Sequence, residues 1–141
     1  MKKINKTLCY NDFSVSYEIV QMGKDIALQV TGGEPHVGCV VLAEPRESLK
    51  KDGSRSATSS VLNAWGHKDE RMLRALAEKA SALGNCRVAA LGGVHFDKLS
   101  EEGLKQVLRI HEEALYQIES WLMELASAEE NKQGEFDANC R

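Results

Sequence analysis

The chain has 141 residues, a length that suits one domain with its own core. Hydrophobic residues make up 43% and charged residues 28%, which excludes a disordered chain, and a net charge of -3 offers no electrostatic footprint for nucleic acid. No apolar run is long enough to span a bilayer, and the opening "MKKINKTLCYNDF" lacks the apolar stretch of a signal peptide, so a cytoplasmic location is expected.

In chain order, Phe13, Val15, Tyr17 and Ile19 alternate with Ser14, Ser16 and Glu18, the period of a half-buried strand. Met22-Gly23-Lys24 is a turn, and Ile26, Leu28 and Val30 continue as the second arm of a hairpin. After the connection "TGGEPH", residues 37–43 form a third, more continuously apolar strand. "EPRESLKKDGS" reads as a polar loop, and residues 56–62, "SATSSVL", as a fourth strand. On that strand Ser56, Thr58 and Ser60 share one face, and Ala57, Ser59 and Val61 the other. Residues 67–83 carry Met72, Leu73, Leu76, Ala80 and Leu83 on one helical face, with Gly84 as the stop. "CRVAALGGVHF" is a fifth strand.

Ser100 then caps a long helix over residues 101–127, with Glu101 and Glu102 favouring its positive end. Leu104, Leu108, His111, Leu115, Ile118, Leu122 and Leu125 step like a coiled-coil seam. Val107, Ile110, Ala114 and Trp121 form a second stripe, and the surplus points to a partner, an identical subunit first of all. Residues 1–128 are expected to form the domain and residues 129–141 a polar C-terminal tail. Four strands, a helix, a strand and a long helix predict an α+β fold with a mostly antiparallel sheet.

The cysteines, Cys9, Cys39, Cys86 and Cys140, make no C-x-x-C pair, so they are read as reduced thiols rather than a zinc or disulfide framework. Three of the four histidines fall at element ends beside glycines: His36, His67 and His95. Glycine lets a ligand approach the backbone, and strand ends are where sites are built. His111, on the helix seam, is expected to be buried and structural. "WGHKDE" sets Lys68 at a helix N-terminus, a place that attracts anions. Arg46 with Ser56, Thr58 and Ser59 could also hold a phosphate. Glu34, Asp69 and Asp97 lie near the histidines, but no pair has local ligand spacing, so a metal stays unassigned. No nucleophile elbow, Walker loop or dinucleotide fingerprint is present, and a non-enzymatic role is expected.

"GGEPHVGCVVLAEPRESL", "SATSSVLNAWGHKDE" and "GGVHFDKLSEEGLKQV", in that order, resemble the LpdD-like family. Its members are accessory partners of UbiD-type decarboxylases such as gallate decarboxylase, and are regarded as chaperones for prenylated flavin mononucleotide. The resemblance runs over roughly residues 13–115. Val37-Gly38-Cys39 stands where the family often has Ile-Gly-Ala, and Phe96 where it has Trp, both conservative changes. A weaker likeness to the third proteasome-assembly chaperone rests on "MGKDIALQV" and "LSEEGLKQVLRI"; it implies architecture and dimerisation.

The resemblance implies a cytoplasmic, homodimeric chaperone that binds prenylated FMN for a decarboxylase large subunit. Residue chemistry then places Arg46, Lys68, Ser56, Thr58 and Ser59 on the phosphate. His36, His67 and His95 would line the isoalloxazine edge beside Gly38, and Trp65 would stack. The alternatives are a small decarboxylase subunit with its own acid–base role, or a protein-assembly chaperone without cofactor. A strand over residues 37–43 spans roughly 20–25 Å. His36 and Arg46 therefore share one small ligand within a subunit only if the loop after Pro45 folds back, which makes His36 the surer site residue.

Overall fold

The computed structural model describes residues 1–66 and 69–130. Six strands and two helices follow in the order β1 (Lys3–Tyr10), β2 (Phe13–Met22), β3 (Asp25–Gly33), β4 (Cys39–Glu47), β5 (Arg55–Asn63), α1 (Glu70–Gly84), β6 (Val88–His95) and α2 (Glu101–Ser127). The strands form one sheet, ordered β1-β2-β3-β6-β4-β5. The α+β class is as expected. The sheet is mixed rather than purely antiparallel, because β6 inserts beside β3 in parallel while every other pairing is antiparallel.

Strand β1 is absent from the sequence-based expectation. Its inward positions are Ile4, Lys6 and Leu8, so a lysine interrupts the apolar alternation. Lys6 lies on the helix side because its ammonium pairs with Glu124 of α2 at 2.5 Å. Strand β4 also runs further than expected, through Pro45 and Arg46 to Glu47. Pro45 is tolerated because β6 pairs with β4 only as far as Ala43, so the missing N–H falls beyond the double ladder.

Both helices cover one face of the sheet. Helix α1 packs on β4, β5 and β6, and α2 packs on β1, β2 and α1. Val15, Tyr17, Ile19, Leu28, Val30, Val41 and Val88 meet Leu73, Leu76, Ala114, Ile118 and Leu125 in one core. The Tyr17 and Trp121 rings lie 5.2 Å apart. Helix α1 starts at Glu70, and its end is set by Asn85 in the left-handed region (φ 50°) rather than by Gly84. Ser100 caps α2 as expected, its Oγ accepting the Gly103 N–H at 3.0 Å.

The expected seam of α2 is displaced. Val107, Ile110, His111, Ala114, Ile118, Trp121 and Leu125 are buried, whereas Leu104 and Leu108 are exposed. The core takes the stripe between the two read from the sequence, because α2 leans on both the sheet and α1. Among the described residues no helix is long and apolar enough to cross a membrane. All but two residues of the expected C-terminal tail lie outside the described residues.

Candidate functional site

The end of β6 and the start of β4 are tied together by backbone. Gly38 N–H donates to Gly92 O (2.8 Å), Glu34 N–H to His95 O (3.0 Å) and Ala64 N–H to Gly38 O (2.8 Å). This holds residues 34–38 against the sheet end and carries His36 beneath the start of α1. Asp69 stands at the N-cap of α1, but its side chain makes no cap bond. Instead Oδ1 accepts the Val94 N–H at 2.9 Å, and Oδ2 lies 3.3 Å from His36 Nε2. Asp69 is buried, with 5% of its surface exposed.

The protonation of His36 follows from its neighbours. Its Nδ1 is 3.0 Å from Glu34 O, which can only accept, so Nδ1 carries a proton. A neutral ring would then turn the lone pair of Nε2 toward the Asp69 carboxylate. The imidazolium relieves this, donating to Glu34 O and to Asp69 together. Its pKa is raised above the ordinary 6.5, chiefly by the Glu34 carbonyl and then by Asp69, against some loss of solvation.

Two glycines make room for the pair. A Cβ on Gly38 would come within 2.0 Å of Asp69 Oδ2, and one on Gly93 within 2.3 Å of His36 Nε2. No larger residue fits at either place without displacing the pair. His36 lines an open pocket of about 230 Å³ with Glu34, Pro35 and His95. The His36 and His95 rings are perpendicular, 6.2 Å apart. His95 Nε2 lies 3.1 Å from Asp97 Oδ1. In the interior, burial pushes the His111 pKa down to about 4 although the Asp69 charge acts in the opposite sense. His111 Nε2 has no hydrogen-bond partner among the described residues.

Of the residues singled out in the sequence, His36, Gly38 and His95 come together. His67 and Lys68 lie outside the described residues. Trp65 is 98% exposed just beyond β5. Arg46 lies at the opposite end of β4, where its Nε donates to Thr58 Oγ1 at 2.8 Å and Ser56 is its cross-strand neighbour. The strand from Cys39 to Arg46 covers roughly 23 Å at about 3.3 Å per residue. Ser59 points to the helix side, donating to Glu78 Oε1 (2.6 Å) and accepting from Arg74 Nε (2.9 Å). Asp69 was visible only as an acid near the histidines. An aspartate before a helix reads as a cap, and nothing local shows that its oxygens are spent on His36 and β6. Among the described residues no group of three or more His, Cys, Asp or Glu could hold a metal ion.

Comparison with known proteins adds a family and a fold. No curated protein matches the sequence significantly. Among solved structures, a chain from the crystal structure of a chaperone complex for yeast 20S proteasome assembly superposes with a TM-score of 0.53 at 15% identity. The alignment covers 88% of this chain and 96% of that one, a likeness of fold. The family model described as the prenylated flavin chaperone LpdD-like domain matches residues 10–123, a span that includes His36, Asp69 and His95. The chain belongs to the prenylated flavin chaperone LpdD-like family.

Proposed function

We propose that this protein binds prenylated FMN at the His36–His95 pocket and supports its loading into a UbiD-type decarboxylase for hydroxyaromatic acids. The observation that carries the reading is a built ion pair at the pocket wall, inside the span matched by the family. The pocket is small and open, which suits the edge of a ring system rather than a whole dinucleotide-sized ligand. The residues present fit that edge. His36, its pKa raised above the ordinary 6.5, offers an N–H donor, and a positive charge when protonated, to a reduced, electron-rich ring, His95 stands at right angles to it, and Pro35 supplies an apolar surface. Trp65 is near enough in the chain to stack. When bound, the prenylated flavin supplies the decarboxylase chemistry; the chain itself holds and orients it.

The phosphate needs a separate cradle. His67 and Lys68 adjoin Asp69 in the chain and remain the expected anion holders. Arg46, Ser56 and Thr58 are too distant to serve the same ligand in the same subunit, and Ser59 is engaged by Glu78 and Arg74.

Retention of reduced prenylated FMN through gel filtration tests the reading. Wild-type protein should carry flavin absorbance with the protein peak, and His36→Ala should lose most of it. No retention by wild type at concentrations well above micromolar overturns it. A second reading, a protein-assembly chaperone without cofactor, draws on the fold likeness. In that case His36→Ala would leave maturation of the partner enzyme intact. Turnover of a hydroxybenzoate by this chain alone would instead establish an acid–base enzyme.

A further inference from the structure

The sheet has two outer strands, β1 and β5, and their free edges are built differently. On β5, Ala64 N–H donates to Gly38 O and Ser54 O accepts from Ser48 N–H, which fixes the pattern of the ladder with β4. Both bonds fall on even-numbered residues of one unbroken register, so Ser56, Thr58, Ser60 and Leu62 exchange their backbone bonds with β4. Ala57, Ser59 and Val61 therefore turn N–H and C=O toward the free edge, where among the described residues no strand pairs with them. An open row of this kind is a template for another strand, and proteins ordinarily blunt it with lysine, proline, a bulge or an inward charge. Strand β1 is blunted in this way. It carries Lys3 and Lys6, and Lys6 points inward to Glu124 of α2. From Ser56 to Leu62, β5 has no charge, no proline and no break in register.

We infer that the free edge of β5 takes an extended segment of the acceptor enzyme as an added strand, an inference that rests on the cofactor-loading reading. Position supports the occupant. Asn63 pairs with Cys39 and Ala64 bonds to Gly38, so the edge ends beside the backbone turn that carries His36. A segment laid along β5 is thereby led to the pocket end of the sheet, where an acceptor of the flavin has to come. Trp65 stands just past that end, 98% exposed, and a free tryptophan beside a binding edge is the kind of anchor on which protein contacts concentrate their energy. Charge defines the segment. Helix α1 lays Glu70, Arg74 and Glu78 along the helix side of β5. Asn63 Nδ2 donates to Glu70 Oε2 at 2.8 Å and Ser59 Oγ to Glu78 Oε1 at 2.6 Å. Arg74 bridges the two acids, at 3.0 Å from Glu70 and 3.6 Å from Glu78. Two carboxylates share one guanidinium, so this flank keeps an excess of negative charge. The fitting strand has lysine or arginine on the side that faces α1 and no proline where it pairs. A second copy's β5 would bring the same acidic stripe against this one and is the poorer match.

Amide hydrogen exchange, read residue by residue on the full-length chain, tests the edge. In the free protein Ala57, Ser59 and Val61 should exchange about tenfold or more faster than Ser56, Thr58 and Ser60. Adding a UbiD-type decarboxylase stripped of its flavin should slow these outward amides by about tenfold or more. Slow exchange at them in the free protein overturns the inference, because the edge then already has an occupant; if the slowing sets in only at high concentration, that occupant is a second copy. A decarboxylase that does not bind, or that binds and protects other amides only, overturns it too. Ala57→Pro removes one outward N–H and spares the ladder with β4. It should weaken capture of the flavin-free decarboxylase by about tenfold, while circular dichroism and retention of reduced prenylated FMN stay at wild-type levels. Should it fail to fold, Ala57→Lys blunts the same edge with a charge. Unchanged capture by the folded variant overturns the inference. Protein that retains no flavin yet shows the enzyme on these amides defeats the flavin reading alone, and protein that retains flavin but meets the enzyme elsewhere defeats the edge alone.

Discussion

Asp69 and His36 are paired, Oδ2 to Nε2 at 3.3 Å, with the other Asp69 oxygen on the Val94 N–H, a geometry that favours the imidazolium. The pair ties three pieces of chain together: the segment before β4, the start of α1 and the end of β6. Each arrives from a different part of the sequence, and the pocket exists only where they meet.

The charge state of His36 is testable by NMR titration. Its pKa should lie above 6.5, and Asp69→Asn should bring it part of the way back. A raised folded-state pKa means that the stabilisation is fully present below about pH 6.5 and is lost as pH rises through the folded value. The stability gap between wild type and His36→Gln should accordingly narrow on the alkaline side. A gap that widens with rising pH would contradict the imidazolium.

Substituting Gly93 by Ala should separate packing from charge. The new Cβ would stand 2.3 Å from His36 Nε2, so the ring has to move. We expect a loss of about 1–3 kcal/mol in denaturant unfolding, with the His36 pKa falling as the pair opens. Gly23→Ala is a useful contrast, since its Cβ would meet nothing within 4 Å and only its φ of 62° is strained.

His111 predicts the acid limb. Buried and held neutral, it titrates near 4 when folded against an ordinary 6.5. The unfolded chain therefore binds its proton first, and stability falls as pH drops from about 6.5 to about 4. The coupled free energy is on the order of 3 kcal/mol. His111→Leu should flatten this limb in melts at pH 4 to 7, and an unchanged slope would show that other groups carry it.

Tyr17 carries a buried hydroxyl with no partner among the described residues, on a ring packed against Trp121. Burial raises its pKa well above the ordinary 10. Tyr17→Phe keeps the ring and removes the unsatisfied group, so it should be neutral or stabilising by up to about 1 kcal/mol. A clear loss in thermal unfolding would place a hydrogen-bonded water on that oxygen.

Much of the fold is legible locally. The alternation around Val15 and Val30, the helical face of Leu73 and Leu76, and the Ser100 cap each depend on neighbours within a few residues. Strand β1 was hidden because Lys6 occupies an inward position that makes sense only beside Glu124. The parallel pairing of β3 with β6 was hidden because it joins residues about sixty apart in the chain. At the site, His36 and His95 announced themselves by their glycines. Asp69 did not, since its partners come from residues 36 and 94.

What the sequence by itself determined is the set of elements and their buried faces, because periodicity and capping act over a few residues. It also determined the family, through three ordered motifs. The tertiary structure alone decided which termini meet, and so which charges pair. It turned Asp69, in the sequence only an acid near the histidines, into the partner of His36. It also set Arg46 at the far end of the strand that His36 precedes, because an extended β4 keeps its two ends roughly 23 Å apart whatever residues stand there.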